Sequence, residues 1–323
     1  MDSSTAVVME TENTVLKDDQ IIEQKEDCIF KEHGLDFMTD TDWTRDKDSH
    51  LEQEREKKIF DLWLACHRPE DITKEVGTDQ IHVLKTVKRS TENNEIIKTH
   101  NDFTPKYYSI WSFHKATNKF RYPGNIPPEI IENLVYYYTE PFDIVFDPFA
   151  GGGPTIDVCQ KWLRRYFVSD IKPFPARQHE IRKWDITQGL PPELPVNKVQ
   201  LAFLDPPYWK QAEGKYGKDP RNFANMPLDE FNNKLSSLIT NLAEKLRPSS
   251  YIALIIQPTQ WKAPGKKFTD HVFDVIRSVG LPVDMRISCP YSTQQCTPQM
   301  MQWAKKDKQL LVISRELIIW KVV

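Results

Sequence analysis

The chain has 323 residues, enough for one large domain or two smaller ones. No apolar run reaches the roughly 18 residues of a membrane span, so no membrane span is expected. The net charge of −3 hides an asymmetry: residues 1–57 carry 17 acids against 7 bases, and the remaining residues carry 29 against 36.

A basic body behind an acidic segment suits a polyanion partner, and it suits an ordinary solvated surface equally well. Cys28, Cys66, Cys159, Cys289 and Cys296 form no CxxC pair and lie beside no His at ligand spacing. That argues against a zinc site and a disulfide framework. The start lacks the basic and apolar segments of a signal peptide, and a reducing cytoplasm is the expected setting.

In chain order, residues 1–57 show little periodicity and much Asp, Glu, Ser and Thr, which predicts a mostly disordered tail with a short helix near 49–57. Ile59, Leu62 and Leu64 then begin a helical pattern. Pro69 suits a first helical turn, with Glu70 and Asp71 at its dipole. Gly77 stops that helix, and Thr78 can cap the next, which carries Ile81, Val83, Leu84 and Val87. Over 58–92 this resembles a helix-turn-helix whose Thr78, Asp79, Gln80 and His82 would face DNA bases. A plain helical hairpin packed on the main domain explains the pattern as well. Residues 93–118 are polar, then aromatic (Phe103, Tyr107, Tyr108, Trp111, Phe113), and read as a linker that ends by docking on the domain spanning 119–323.

From about 126 onward, strand-like and helix-like segments alternate. Helices are expected around Ile130–Val135 and over 155–164, 228–246 and 268–279. Strands are expected over 143–146, 166–169, 200–204, 251–257 and 283–288, with a closing pair at 310–314 and 317–322. Such alternation predicts an α/β sheet with helices on both faces.

Four strand ends carry chemistry. Asp147-Pro148-Phe149-Ala150-Gly151-Gly152-Gly153-Pro154 joins the first strand to a helix, where glycines let the backbone approach a ligand. It lacks the spacing of dinucleotide and P-loop motifs, which weakens both rivals. Asp170, about 20 residues on, can accept ribose hydroxyls. Asp185, between Trp184 and Ile186, can hold an adenine amine, although a turn-capping Asp would read the same. Last comes Asp205-Pro206-Pro207-Tyr208, after the apolar run 199–204. Two prolines stiffen the turn. Asp205 and the Pro206 carbonyl can then take the two N–H groups of one planar amine, while Tyr208, with Trp209 beside it, offers a stacking face.

Together these segments resemble the S-adenosylmethionine-dependent amino-methyltransferases of DNA, over roughly 105–323. The resemblance also rests on Tyr122-Pro123-Gly124 with Pro127-Pro128-Glu129-Ile130. It implies a Rossmann-like sheet of seven strands, mostly parallel, with the last antiparallel. It implies a cofactor site at Asp147, Phe149, Gly151, Gly153, Asp170 and Asp185, and a flipped base held by Asp205, Pro206, Pro207 and Tyr208. The amine would attack the sulfonium methyl in line. Asp at position 205 favours adenine N6 over cytosine N4. Pro154 departs from the family's usual Thr or Ser. A large target-recognition domain is also missing, leaving the Lys- and aromatic-rich 209–226, with Lys210 and Lys215, and 290–308 as candidate DNA-reading loops. An RNA or tRNA guanine-N2 methyltransferase, and a DNA-binding regulator with an inert methyltransferase fold, are the alternatives.

Overall fold

The computed structural model describes residues 50–92, 103–113, 124, 126–260, 268–290 and 296–323. The expected acidic tail therefore lies almost wholly outside the described residues, as do Tyr122, Pro123 and the 291–295 part of the second candidate loop.

Seven strands form one sheet in the order β3-β2-β1-β4-β5-β7-β6. They are β1 (Ile144–Asp147), β2 (Arg165–Asp170), β3 (Arg182–Lys183), β4 (Val199–Leu204), β5 (Tyr251–Ile256), β6 (Val283–Pro290) and β7 (Ser314–Lys321). β1 pairs in parallel with β2 and β4, β2 with β3, and β4 with β5. β7 runs antiparallel to both neighbours, β5 and β6. This is the expected Rossmann-like α/β arrangement. β1 is buried at all four positions, as a central parallel strand covered on both faces must be. The parallel register brings the carboxyl ends of β1 to β4 to one edge. The strand order reverses between β1 and β4, where open α/β sheets bind ligands.

Helices cover the sheet: α4 (Pro128–Tyr138), α5 (Pro154–Lys161), α6 (Leu228–Lys245), α7 (His271–Val279) and α8 (Pro298–Asp307). α5 ends earlier than the sequence suggests, because Leu163 takes a left-handed φ of 52° that no helix continues through. α7 starts at His271 because the Asp270 side chain accepts from the Phe273 N–H. The expected closing pair is a correction. Ser314–Lys321 is one strand whose antiparallel partners are β5 and β6, and the Val312 N–H is taken by the Gln260 side chain instead. Half of the second candidate loop is α8, a helix with no buried residue.

Before the sheet stand α1 (His50–Leu64), α2 (Pro69–Val76) and α3 (Gln80–Glu92). Gly77 closes α2 with a φ of 70°, as expected. The cap of α3 is Asp79 rather than Thr78, since its Oδ1 accepts the His82 N–H at 2.8 Å. His82 itself is a correction to the base-facing set. It is buried, and its Nε2 lies 3.5 Å from Glu52 Oε1 on α1. Thr78 is half-buried, and the exposed Gln80 donates to Glu70 at 3.4 Å. Ile59, Trp63, Ile72, Val83 and Val87 join the core that includes Val145 and Tyr166. Arg165 lies over the Trp63 ring at 4.6 Å, and Arg182 of β3 donates to the Ala65 carbonyl at 2.8 Å.

Residues 103–113 pack on the same core, with Trp111 buried and Phe103 and Phe113 partly so, and reach β6. Asn133 of α4 accepts the Lys106 N–H at 2.7 Å, and Trp111 and Ser109 bond to both backbone groups of Ser288 on β6. No helix of the described residues is long and apolar enough to cross a membrane.

Candidate active site

A cavity of about 790 Å³ opens where the parallel strands end. It is lined by Asp147 at the end of β1 and Phe149 and Gly151 just past it, by Asp170 at the end of β2, by Asp185 after β3 and by Asp205, Pro206, Pro207 and Tyr208 after β4. Its size lies within the range of sites for drug-sized ligands and cofactors.

Each acid is already oriented by its own loop. Asp147 accepts the Phe149 N–H at 2.8 Å and the Thr155 hydroxyl at 2.6 Å. Burial pushes its carboxyl up to about 7; these two hydrogen bonds oppose the rise and the charge of Asp170 adds to it. Asp170 accepts the Gly151 N–H at 3.0 Å and the Lys172 N–H at 2.9 Å. Burial raises its carboxyl too, against those two bonds. A carboxylate offers about four lone-pair sites, so Asp170 retains acceptor capacity for hydroxyls. Asp185 caps a short turn through Thr187, whose N–H and hydroxyl reach Oδ1 at 3.0 and 2.6 Å. Trp184 and Ile186 line the cavity on either side of it.

Gly153 does not line the cavity, contrary to its expected cofactor role. It is the N-cap of α5 at a φ of 79°, and its carbonyl accepts from the buried Arg177 at 3.2 Å. A Cβ there would meet Arg177 Cδ at 2.8 Å. This glycine therefore makes room for an arginine, which is held on its far side by Asp157.

In the turn after β4, burial lifts the Asp205 carboxyl to about 7. The Arg315 guanidinium opposes that rise, the charge of Asp147 adds to it, and the Tyr208 hydroxyl opposes it. Trp209 does not flank the cavity as a stacking ring. It is buried, and its Nε1–H donates to the Met226 carbonyl at 3.0 Å. The aromatic wall is made instead by Phe149 and Phe223, in edge contact at 5.3 Å between centroids.

Residues 209–226 arch over the cavity. Lys215 lines it, whereas Lys210 does not and pairs with Glu213 at 2.7 Å. Tyr216 approaches Gly124 so closely that a Cβ there would fall 2.3 Å from its hydroxyl. Arg221 reaches across to Asp185 Oδ2 at 3.1 Å and fastens the arch to the β3 end.

Sequence reasoning gave Thr155 no role, although it directly follows Pro154 at the end of the glycine loop, and missed Arg221 and Arg315. Those two approach the site only through the fold.

The family model described as a DNA methylase of the N6/N4 methyltransferase type matches residues 9–179, which include the glycine loop and Asp170 and stop before Asp205. The type II methyltransferase M.BglII of Bacillus subtilis is 39% identical over 67 residues, 20% of this chain and 19% of that protein. The type II methyltransferase M.XycI of Xanthomonas campestris pv. cyanopsidis is 34% identical over 65 residues, 20% of this chain and 22% of its own length. The matches thus span about a fifth of these relatives. Among solved structures, TrmN from Thermus thermophilus aligns with a TM-score of 0.35 at 10% identity, over 61% of this chain and 49% of that one. The cytosine-N4-specific PvuII DNA methyltransferase aligns with a TM-score of 0.29 at 16% identity, over 38% and 42%. Because the family model covers more than half of the sequence, the chain belongs to the N6/N4 DNA methylase family.

Proposed function

We propose that this chain methylates an exocyclic amine of a DNA base, adenine N6, with S-adenosylmethionine as donor. One observation carries the reading: the 205–208 turn and the acids Asp147, Asp170 and Asp185 line a single cavity at the carboxyl edge of the sheet. The family match supports DNA and an amino group as the target. Asp rather than Ser at position 205 supports adenine over cytosine.

The donor, when bound, supplies an electrophilic methyl on a positively charged sulfur. Asp170 would hold its ribose hydroxyls, Asp185 its adenine amine, and Gly151 would let it lie close to the backbone, beside Phe149. The acids present fit that group, since a cation is welcome among carboxylates that burial has made costly to ionise. Asp205, ionised, accepts one N–H of the target amine, and the Pro206 carbonyl accepts the other. Drawing on both hydrogens frees the nitrogen lone pair, and the rigid turn keeps that geometry without reorganisation. Tyr208 supplies a face for the flipped base. Lys215 at the cavity, Lys210 on the arch, and Thr78 and Gln80 at the start of α3 would meet the DNA.

The test is transfer of labelled methyl to DNA and to RNA, followed by nucleoside analysis. N6-methyladenine in DNA is the expected product. N4-methylcytosine would reassign the base, label only in RNA would favour the guanine-N2 alternative, and DNA binding without transfer would favour the regulator.

A further inference from the structure

Just beyond β5 the chain grips the residue that follows the 205–208 turn. Thr259 and Thr269 exchange both backbone hydrogen bonds, at 3.1 and 2.9 Å, which pins the approach to α7. The Thr259 hydroxyl lies 2.7 Å from the Trp209 carbonyl and 3.2 Å from His271 Nε2. A carbonyl only accepts and a hydroxyl has one proton, so Thr259 donates to Trp209. His271 Nε2 must then donate to Thr259. Burial holds the His271 pKa down at about 4, which keeps the ring neutral, and the Gln257 backbone is a second hydrogen-bond partner of that ring; the contact with Thr259, not the pKa, assigns the ring proton to Nε2.

The grip has further points. The Trp209 ring meets His271 edge-on at 5.7 Å, and Gln211 donates to the Pro258 carbonyl at 3.1 Å. It also has a strain to resist. Lys210, directly after Trp209, is held at a φ of 59°, in the left-handed region that a side chain disfavours. Thr259 and His271 are both almost completely buried, where a polar group left unpartnered is costly.

We infer that Thr259, with its hydroxyl oriented by His271, is a positioning residue for the 205–208 turn. It fixes the peptide carbonyl one residue past Tyr208, and so fixes the direction in which Asp205 and Pro206 present their acceptors to the target amine. The inference rests on the proposed amine-holding role of that turn and adds the element that aims it.

The experiment measures steady-state methyl transfer, with DNA and S-adenosylmethionine varied separately, for the full chain and three variants. Thr259→Val keeps the shape and removes the hydroxyl. It should lower kcat by about tenfold to a hundredfold, the size of effect a small misplacement produces, while the KM for S-adenosylmethionine stays close to that of the parent. Thr259→Ser restores the hydroxyl and should recover most of kcat. His271→Phe keeps a packed ring without the Nε2 donor and should fall between them. If Thr259→Val does not fold, the serine and phenylalanine variants still decide the matter. Parental kcat in Thr259→Val or in His271→Phe overturns the inference, as does equal loss in the valine and serine variants. Absence of transfer by the parent chain on any nucleic acid would sink the proposed function instead, so the two failures are distinguishable.

Discussion

Asp205 and Asp147 end two neighbouring strands, β4 and β1, and face one cavity. Burial, and after it the charge of Asp147, brings Asp205 to a pKa of about 7 in spite of Arg315. Burial therefore works against the ionised form, which is the stronger acceptor for an amine hydrogen.

The pH dependence of methyl transfer follows. With Asp205 as acceptor, kcat/KM should climb through about pH 7 and level off above it. A profile that is flat from pH 5.5 to 9, or that falls across that range, contradicts the assignment. Asp205→Ala should lose at least about a hundredfold in kcat with cofactor affinity nearly intact, as measured by calorimetric titration.

Stability should carry the opposite trend. The folded-state pKa of Asp205 lies above its ordinary 3.8, so the native chain binds this proton more tightly than the unfolded one. The contribution is present below about pH 4 and is lost as pH rises through about 7. Asp205→Asn removes the titration. Its thermal midpoint, relative to the parent, should rise more at pH 8.5 than at pH 5, and the reverse order would refute the burial argument.

The Thr155 hydroxyl is the sole side-chain donor given to Asp147 among the described contacts. Thr155→Val should cost about 1–3 kcal/mol, because it strips a partner from a buried carboxylate. Urea denaturation would show it, and a loss below about 0.5 kcal/mol would mean that another donor takes over.

Gly153 and Gly151 should respond differently to Ala. Gly153→Ala drives a Cβ into Arg177 at a φ of 79°, so it should destabilise the fold by about 1–3 kcal/mol. Gly151 lines the cavity at a φ of 50°, so Gly151→Ala carries a backbone cost as well and should in addition weaken cofactor binding. Parallel melting curves and cofactor titrations of the two variants separate these effects; parental cofactor affinity in Gly151→Ala would mean that the division is wrong.

Most of the sheet was legible because buried parallel strands are short apolar runs, and Asp147, Asp170 and the 205–208 turn stood at or directly after their ends. β3, the polar pair Arg182–Lys183, leaves no such run, and Asp185 stood out only through its neighbours Trp184 and Ile186. Gly153 could not be told from Gly151, since only the fold brings Arg177 against one of them. His82 was placed on the outer face because the partner that buries it, α1, reads in the sequence as two separate pieces, a short helix near 49–57 and a helical pattern from Ile59, so Glu52 was not set against α3. α8 buries nothing, so it leaves no periodic pattern to read. Arg315 is invisible for a different reason: its position opposite Cys289 on β6 sets it near Asp205, more than a hundred residues away in sequence.

The first three helices set the size of the piece that can be moved. Arg165 and Arg182, on strands of the catalytic sheet, spend hydrogen bonds on the Trp63 and Ala65 carbonyls. A chain shortened to its sheet would bare Phe142, Tyr166 and both guanidiniums on one flank. The smallest portable piece of this fold therefore includes residues 50–92 together with the sheet.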